Sequence, residues 1–264
     1  MVKKVILTLV IITIFSCTSG EKTKERMQTG NYFQISLSSE NLQTSLDFYL
    51  NLGFSEIEVY KDAAVPWAII SDGFNIYMLS QNKFPSPALN YYDKNLEERL
   101  PALEEAGLKT EQTTGESGKL QSAVLIDPTG VGISLINMDS RGLPRPSLSD
   151  SLLTGRFLEL SIPVPDLTES LIFWKNLGFH LVSEGVKPYP MTVLSDNQIR
   201  IGLHQTVVFT SPAITYSTTN PDQTKKELTD LGTEFESIPG YTNGIRFTSP
   251  DNQLFLIYSA REGI

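Results

Sequence analysis

The sequence predicts an α+β fold of two tandem domains, each assembled from two β-α-β-β-β units. Three observations predict it. First, the stretch Ser45-Leu-Asp-Phe-Tyr-Leu-Asn-Leu-Gly-Phe54 returns 125 residues later as Ser170-Leu-Ile-Phe-Trp-Lys-Asn-Leu-Gly-Phe179, and self-similarity at a fixed offset marks a duplicated structural unit. Second, both copies carry the apolar spacing of an amphipathic helix, Leu42/Leu46/Tyr49 in one and Leu167/Leu171/Trp174 in the other, and both stop at a glycine. Third, Asp127-Pro-Thr-Gly130 and Ser249-Pro-Asp-Asn252 stand at matching places near the end of each half, where they read as the turn of a final hairpin.

The elements follow in order. Residues 31–38 alternate as a strand, and Asn41 is placed to cap a helix over 42–52. Strand-like runs near 54–60, 66–71 and 74–80 come next, punctuated by Asp72-Gly73. A second unit opens with the strand Ala88-Leu-Asn-Tyr-Tyr92. Its helix starts near Asn95, or at Pro101 with proline in the first turn, and ends before Gly107. Strands near 108–113, 120–126 and 131–138 complete the half. Residues 139–154, rich in proline and serine, read as a linker. The pattern then restarts: strand 156–162, helix 167–177 capped by Asp166, strands near 179–185, 189–195 and 198–204, strand 213–217, and a helix capped by Asn220 that ends at Gly232. Strands near 234–238, 244–248 and 253–259 close it. The domains therefore span 31–138 and 155–260.

Composition narrows the function classes. The chain has 264 residues, with 21 Lys+Arg against 30 Asp+Glu and a formal net charge of −9. No basic run stands out, so nucleic acid is not an expected partner. Phosphate-loop, dinucleotide, zinc-protease and serine-hydrolase motifs are all missing. The N-terminus has its own signal: Lys3-Lys4, a short apolar run from Val5 to Ser16, then Cys17, the single cysteine. The run is too short to span a bilayer as a helix. It resembles a bacterial lipoprotein signal, which implies cleavage after residue 16, a lipid on Cys17, a polar tether over 17–30 and an address in the cell envelope, periplasmic or on the outer surface. The bilayer is then a partner through that lipid.

The repeated Ser-Leu-x-Phe-aromatic-x-x-Leu-Gly-Phe helix end after a first strand, with the hairpin turns, resembles the vicinal oxygen chelate superfamily, which includes glyoxalases, extradiol dioxygenases and bleomycin resistance proteins. The resemblance implies two glyoxalase-like domains, each a curved sheet around a cavity, and a divalent metal held by inward strand residues. The family's ligand positions fall here on Gln34, Ala88, Ser134 and Met78 in the first domain and on Glu159, Ala213, Leu256 and Gly202 in the second. Glu159 is the one ligand-type residue among them, so a metal cofactor is not expected.

Strand alternation sorts the remaining candidates. Leu158, Leu160 and Ile162 should face the helices, leaving Glu159 and Ser161 in the cavity. Ile199, Ile201 and Leu203 should do the same, leaving Arg200, Gly202 and His204 inward, with Thr215, Ser217 and Tyr258 beside them. Arg200 suits an anion, and Glu159 or His204 could move a proton. The opposing reading pairs Glu159 with Arg200 and leaves His204 in solvent. The first cavity offers Gln34, Ser36, Asn90, Tyr92 and Ser134, all neutral, which suits hydrogen bonding rather than acid–base work. Trp67, Tyr77 and Trp174 read as core or rim aromatics.

The leading expectation is a non-enzymatic protein binding a small polar or aromatic molecule without a metal, as bleomycin resistance proteins do. A metal-dependent lyase, isomerase or dioxygenase that would use Glu159 and His204 is the alternative. A surface protein with side-chain-filled cups, used for protein contacts, is the third. A second copy of the chain, as a homodimer, completes the expected partners.

Overall fold

The computed structural model describes residues 30–116, 119–147 and 152–260. The signal segment, Cys17 and nearly all of the tether lie outside the described residues. The first half runs β1 (Tyr32–Ser38), α1 (Leu42–Asn51), β2 (Ser55–Tyr60), β3 (Trp67–Ser71), β4 (Ile76–Ser80), β5 (Ala88–Tyr92), α2 (Leu96–Glu105), β6 (Gln112–Glu116), β7 (Lys119–Ile126) and β8 (Gly132–Ile136). The second runs β9 (Arg156–Pro163), α3 (Leu167–Asn176), β10 (His180–Gly185), β11 (Met191–Ser195), β12 (Arg200–His204), β13 (Ala213–Thr218), α4 (Pro221–Asp230), β14 (Glu236–Ser237), β15 (Ile245–Thr248) and β16 (Leu254–Ser259). No helix among the described residues is long and apolar enough to cross a membrane.

Each half forms one eight-stranded sheet, in the orders β2-β3-β4-β1-β5-β8-β7-β6 and β10-β11-β12-β9-β13-β16-β15-β14. The first strand of each half sits at the centre, parallel to the fourth and antiparallel to the fifth. The central strands therefore point one row of side chains into a concave cup and the other row at the helices.

Local chemistry explains the helices. The Asn41 side chain accepts from Thr44 N at 3.0 Å and Asp166 accepts from Thr168 N at 2.7 Å, satisfying orphan first-turn donors. Gly53 and Gly178 follow the last turns at φ 93° and 107°, where a Cβ would be strained. Of the two starts expected for α2, the one near Asn95 holds: the helix begins at Leu96, with Pro101 inside it. One expectation is corrected. The strand expected over 108–113 is displaced to Gln112–Glu116.

The helix-facing sides of both sheets share one apolar core, joining Ile35, Leu46, Tyr49 and Leu79 to Leu160, Trp174, Tyr216 and Phe255. Tyr77 and Trp174 belong to it, both fully buried. At the seam, buried Asp72 accepts from Tyr77 OH at 2.8 Å and from Tyr216 OH at 2.7 Å, one donor from each half. Burial, then the Asp72 charge, holds both phenols well above their usual range. The Ser45 hydroxyl of α1 donates to Asp251 in the turn before β16, and Leu153 N donates to Leu52 O at 3.0 Å.

Candidate functional site

Register fixes which residues share each cup. In the first, Gln34 lies opposite Asn90, and Asn90 beside Ser134. All three belong to the row facing away from the helices, as do Met78, Trp67 and Tyr92. This cup holds a cavity of about 310 Å³. Its walls are mainly apolar: Tyr32, Trp67, Ile69, Met78 and Tyr92 from the sheet, and Met138, Leu143 and Pro144 from the chain leaving β8. Trp67 stacks on Tyr60 at 4.2 Å, and Tyr32 packs edge-on to Tyr92 at 5.4 Å. Glu58 is the one charged residue among the lining side chains, and it is exposed.

The polar groups of this cup fall into two sets. Tyr92 OH donates to Gln34 Oε1 at 2.8 Å, and the Gln34 side chain lines the cavity. Asn90 Nδ2 donates to Ser36 Oγ at 2.6 Å; both residues are buried and lie outside the cavity lining, as does half-buried Ser134. Tyr32 lines the cavity; its hydroxyl is buried and has no hydrogen-bond partner among the described residues. Burial, with Tyr92 beside it, pushes its pKa up to about 12, against a smaller pull from Arg145. The guanidinium of Arg145 stands over the Tyr32 ring at 5.3 Å.

The second cup is filled. Tyr189, Phe209, Ala213, Ile238, Leu256 and Tyr258 form one buried cluster in it. Beneath them Glu159 Oε1 meets His204 Nε2 at 2.6 Å, with the residues 4% and 2% exposed. Ser161 Oγ donates to Glu159 Oε1 at 2.8 Å and lies 2.7 Å from Thr215 Oγ1. Burial works to raise the Glu159 carboxyl. The His204 imidazole and the hydrogen bonds from His204 and Ser161 outweigh it and hold the group below its usual range. Glu159 pairs with His204, not with Arg200, which is exposed at the start of β12 and has no ion-pair partner among the described residues. His204, expected in solvent under the opposing reading, is buried.

One face assignment is corrected by a β-bulge. Between β9 and β13 the register shifts, so that Glu159 pairs with Thr215 but Phe157 pairs with Tyr216. Phe157 therefore joins the helix-side core in the place expected of Leu158. In the first half the matching pairing is unbroken, and Tyr32 stays in the cup.

The positions at which the sequence resemblance implies metal ligands do not make a metal site in either cup. Ala213 and Leu256 belong to the apolar filling. A Cβ on Gly202 would come within 2.0 Å of Glu159 Oε1, so the glycine makes room for a carboxylate committed to His204 and Ser161. Gln34 in the first cup is bonded to Tyr92, and Ala88 offers no donor. Among the described residues no three His, Cys, Asp or Glu side chains cluster to hold an ion, whereas such sites take three or four converging donors.

No protein-family model matches the chain, and no curated protein matches it in sequence. Solved structures do. The fold is similar to the 2,3-dioxygenase LapB from Pseudomonas sp. KL28, with 18% identity, 87% of this chain and 91% of that one covered, and a TM-score of 0.56. It is similar to the Mn(II)-bound glyoxalase from Novosphingobium aromaticivorans, with 16% identity, 88% and 82% covered, and a TM-score of 0.58. Homoprotocatechuate 2,3-dioxygenase from Arthrobacter globiformis is a third, with 16% identity, 86% and 78% covered, and a TM-score of 0.55. The chain thus has the glyoxalase-like, vicinal-oxygen-chelate fold in tandem; at these identities the likeness extends to the fold alone.

Proposed function

We propose that this chain is a metal-independent binding protein that takes a small, uncharged, largely aromatic molecule into its first cup. The observation that carries the reading is the cavity of about 310 Å³ walled by Tyr32, Trp67, Met78 and Tyr92, at the small end of ligand sites. Apart from the exposed Glu58, its polar lining side chains are neutral: Gln34, bound to Tyr92, with Tyr32, Ser80 and Asn82. A lipid on Cys17 would hold the protein at the cell envelope, in keeping with the short apolar segment before that cysteine.

The enzyme alternative finds its acid and imidazole sealed under aromatic rings in the second cup. The reading as a surface protein with filled cups suits the second half and not the first. The test uses purified mature protein, metal analysis and titration with coumarin, a neutral bicyclic aromatic with a carbonyl acceptor. Saturable binding that shifts the Trp67 indole resonance, with no stoichiometric metal, is expected. A tight equivalent of iron, manganese, zinc or nickel would end the reading. Cys17→Ser should release the protein from membranes; retention there would remove the anchor.

A further inference from the structure

Matching loops of the two halves differ in what they show to solvent. In the first half, residues 61–66 and 81–87 carry Lys61, Asp62 and Lys83. In the second, residues 186–190 and 205–212 carry Lys187 alone and no acid, in a chain whose net charge is −9. These two second-half loops leave the sheet at one end, since Met191 pairs with His204 and Gln205 N donates to Pro190 O at 2.9 Å. Val186 is 77% exposed and Val207 91%, the two highest values among large apolar side chains described. Pro165, Pro188 and Pro190 are exposed beside them. The first-half loops expose one large apolar side chain, Val65, at 42%.

Local bonding explains the difference. In the first half Ser38, in register with Ser80, ties its loop down: Ser38 Oγ donates to Asn82 O at 2.9 Å, and Ser38 N donates to Ser86 Oγ at 3.2 Å. The residue in register with His204 is Pro163, which has neither the N–H nor the hydroxyl. The second loop is also one residue longer, and its Phe209, the counterpart of Phe84, is buried beneath it. Residues 205–208 therefore stand out between open clefts of about 430 and 960 Å³. They are held there. Arg246 Nη1 donates to Val208 O at 2.9 Å, and Gln205 Nε2 donates to Pro165 O at 3.1 Å. An apolar tip fixed in water gains by meeting an apolar phase and loses little freedom in doing so.

We propose that these two loops form a membrane-contact face, with Val186 and Val207 entering the acyl boundary of an anionic bilayer and Lys187 meeting its phosphates. The inference rests on the reading of Cys17 as a lipid anchor. Two features favour a bilayer over a second copy of the chain. The loops lack acid, which suits an anionic lipid surface. Two valine side chains also bury on the order of 200 Å², far short of the roughly 1,000 Å² of a protein interface, whereas a tethered protein needs only a bias in orientation. The tether permits the contact. Gly30, whose carbonyl accepts from Gln198 Nε2 at 2.9 Å, lies near the opposite end of β12. That strand of five residues is about 17 Å long. The tether from Cys17 to Gly30 extends to about 45 Å, so anchor and loops can reach one bilayer.

The test couples the mature chain through Cys17, its single cysteine, to maleimide-headgroup lipid in vesicles of phosphatidylcholine and phosphatidylglycerol. The contact is thereby read whatever Cys17 carries in the cell, and mass spectrometry of the cellular protein tests the lipid separately. Amide exchange in residues 186–190 and 205–208 should slow by about fivefold or more on coupling, and residues 61–66 and 81–87 should not change. Val186→Asp and Val207→Asp should each keep the wild-type unfolding midpoint and lose most of that protection. Unchanged exchange in the second-half loops, or equal slowing in the first-half loops, would overturn the proposal. So would a dimer in vesicle-free solution that Val207→Asp dissociates, which would assign the face to a second copy.

Discussion

The two cups descend from one pattern and end with opposite contents. The residue two before the third strand is Val65 in the first half and Tyr189 in the second; the fourth strand ends in Ser80 in one and His204 in the other. Gln34 faces a neutral tyrosine, whereas Glu159 faces a buried imidazole. Larger residues and the buried Glu159–His204 pair close the second cup, while smaller ones leave space behind the Trp67 and Tyr92 walls of the first. The difference shows that a duplicated scaffold can keep an open cavity in one copy and pack the other with side chains, through a handful of inward positions.

The largest test of that contrast is stability. Glu159→Ala leaves His204 facing an empty buried site and should cost about 3–5 kcal/mol in denaturant unfolding. Gln34→Ala removes one neutral hydrogen bond and should cost about 1 kcal/mol. Equal losses would break the comparison. Phe209→Ala should cost about 3 kcal/mol, as a buried ring does, and Phe84→Ala less than about 1 kcal/mol because Phe84 is already half-exposed. Gly202→Ala drives a methyl into the Glu159 carboxylate and should cost about 2 kcal/mol through overpacking, read as a lowered unfolding midpoint.

Acid gives a smaller effect whose sign can be stated. The folded-state pKa of Glu159 lies below its ordinary value of 4.5. The stability it contributes is present above that pH and is lost as pH falls through the folded value. Asp127, raised by burial from 3.8, works in the opposite sense. The difference between wild type and Glu159→Gln therefore isolates the pair: it should shrink below about pH 4.5, and a constant difference down to pH 3 would contradict the assignment. The smallest change is Ser38→Ala. By releasing residues 81–87 it should let Phe84 compete for the first cup and weaken coumarin binding severalfold, by about 1 kcal/mol; unchanged affinity would show that Ser38 does not keep that segment out.

Much of the fold was legible because its signals are local. Asn41, Asp166, Gly53 and Gly178 act within a turn of their own helices, and alternation placed Gln34 and Glu159 on the cup side. The failures are non-local. The strand expected over 108–113 runs instead over Gln112–Glu116, where it pairs with β7. The bulge that turns Phe157 to the core depends on pairing with β13, and no residue of β9 announces it. The wall of the first cavity built by Leu143 and Pro144 came from a stretch that read as linker. The filling of the second cup by Tyr189 and Phe209 depends on two segments distant from Glu159 meeting over it.

The central claim is that the first cup binds an uncharged aromatic without a metal. Its most direct test is a coumarin titration of the mature protein, followed at the Trp67 indole before and after exhaustive chelation. The account predicts the same saturable binding in both samples, lost in Trp67→Ala with the fold retained. Binding that disappears on chelation and returns with added iron or manganese would contradict it.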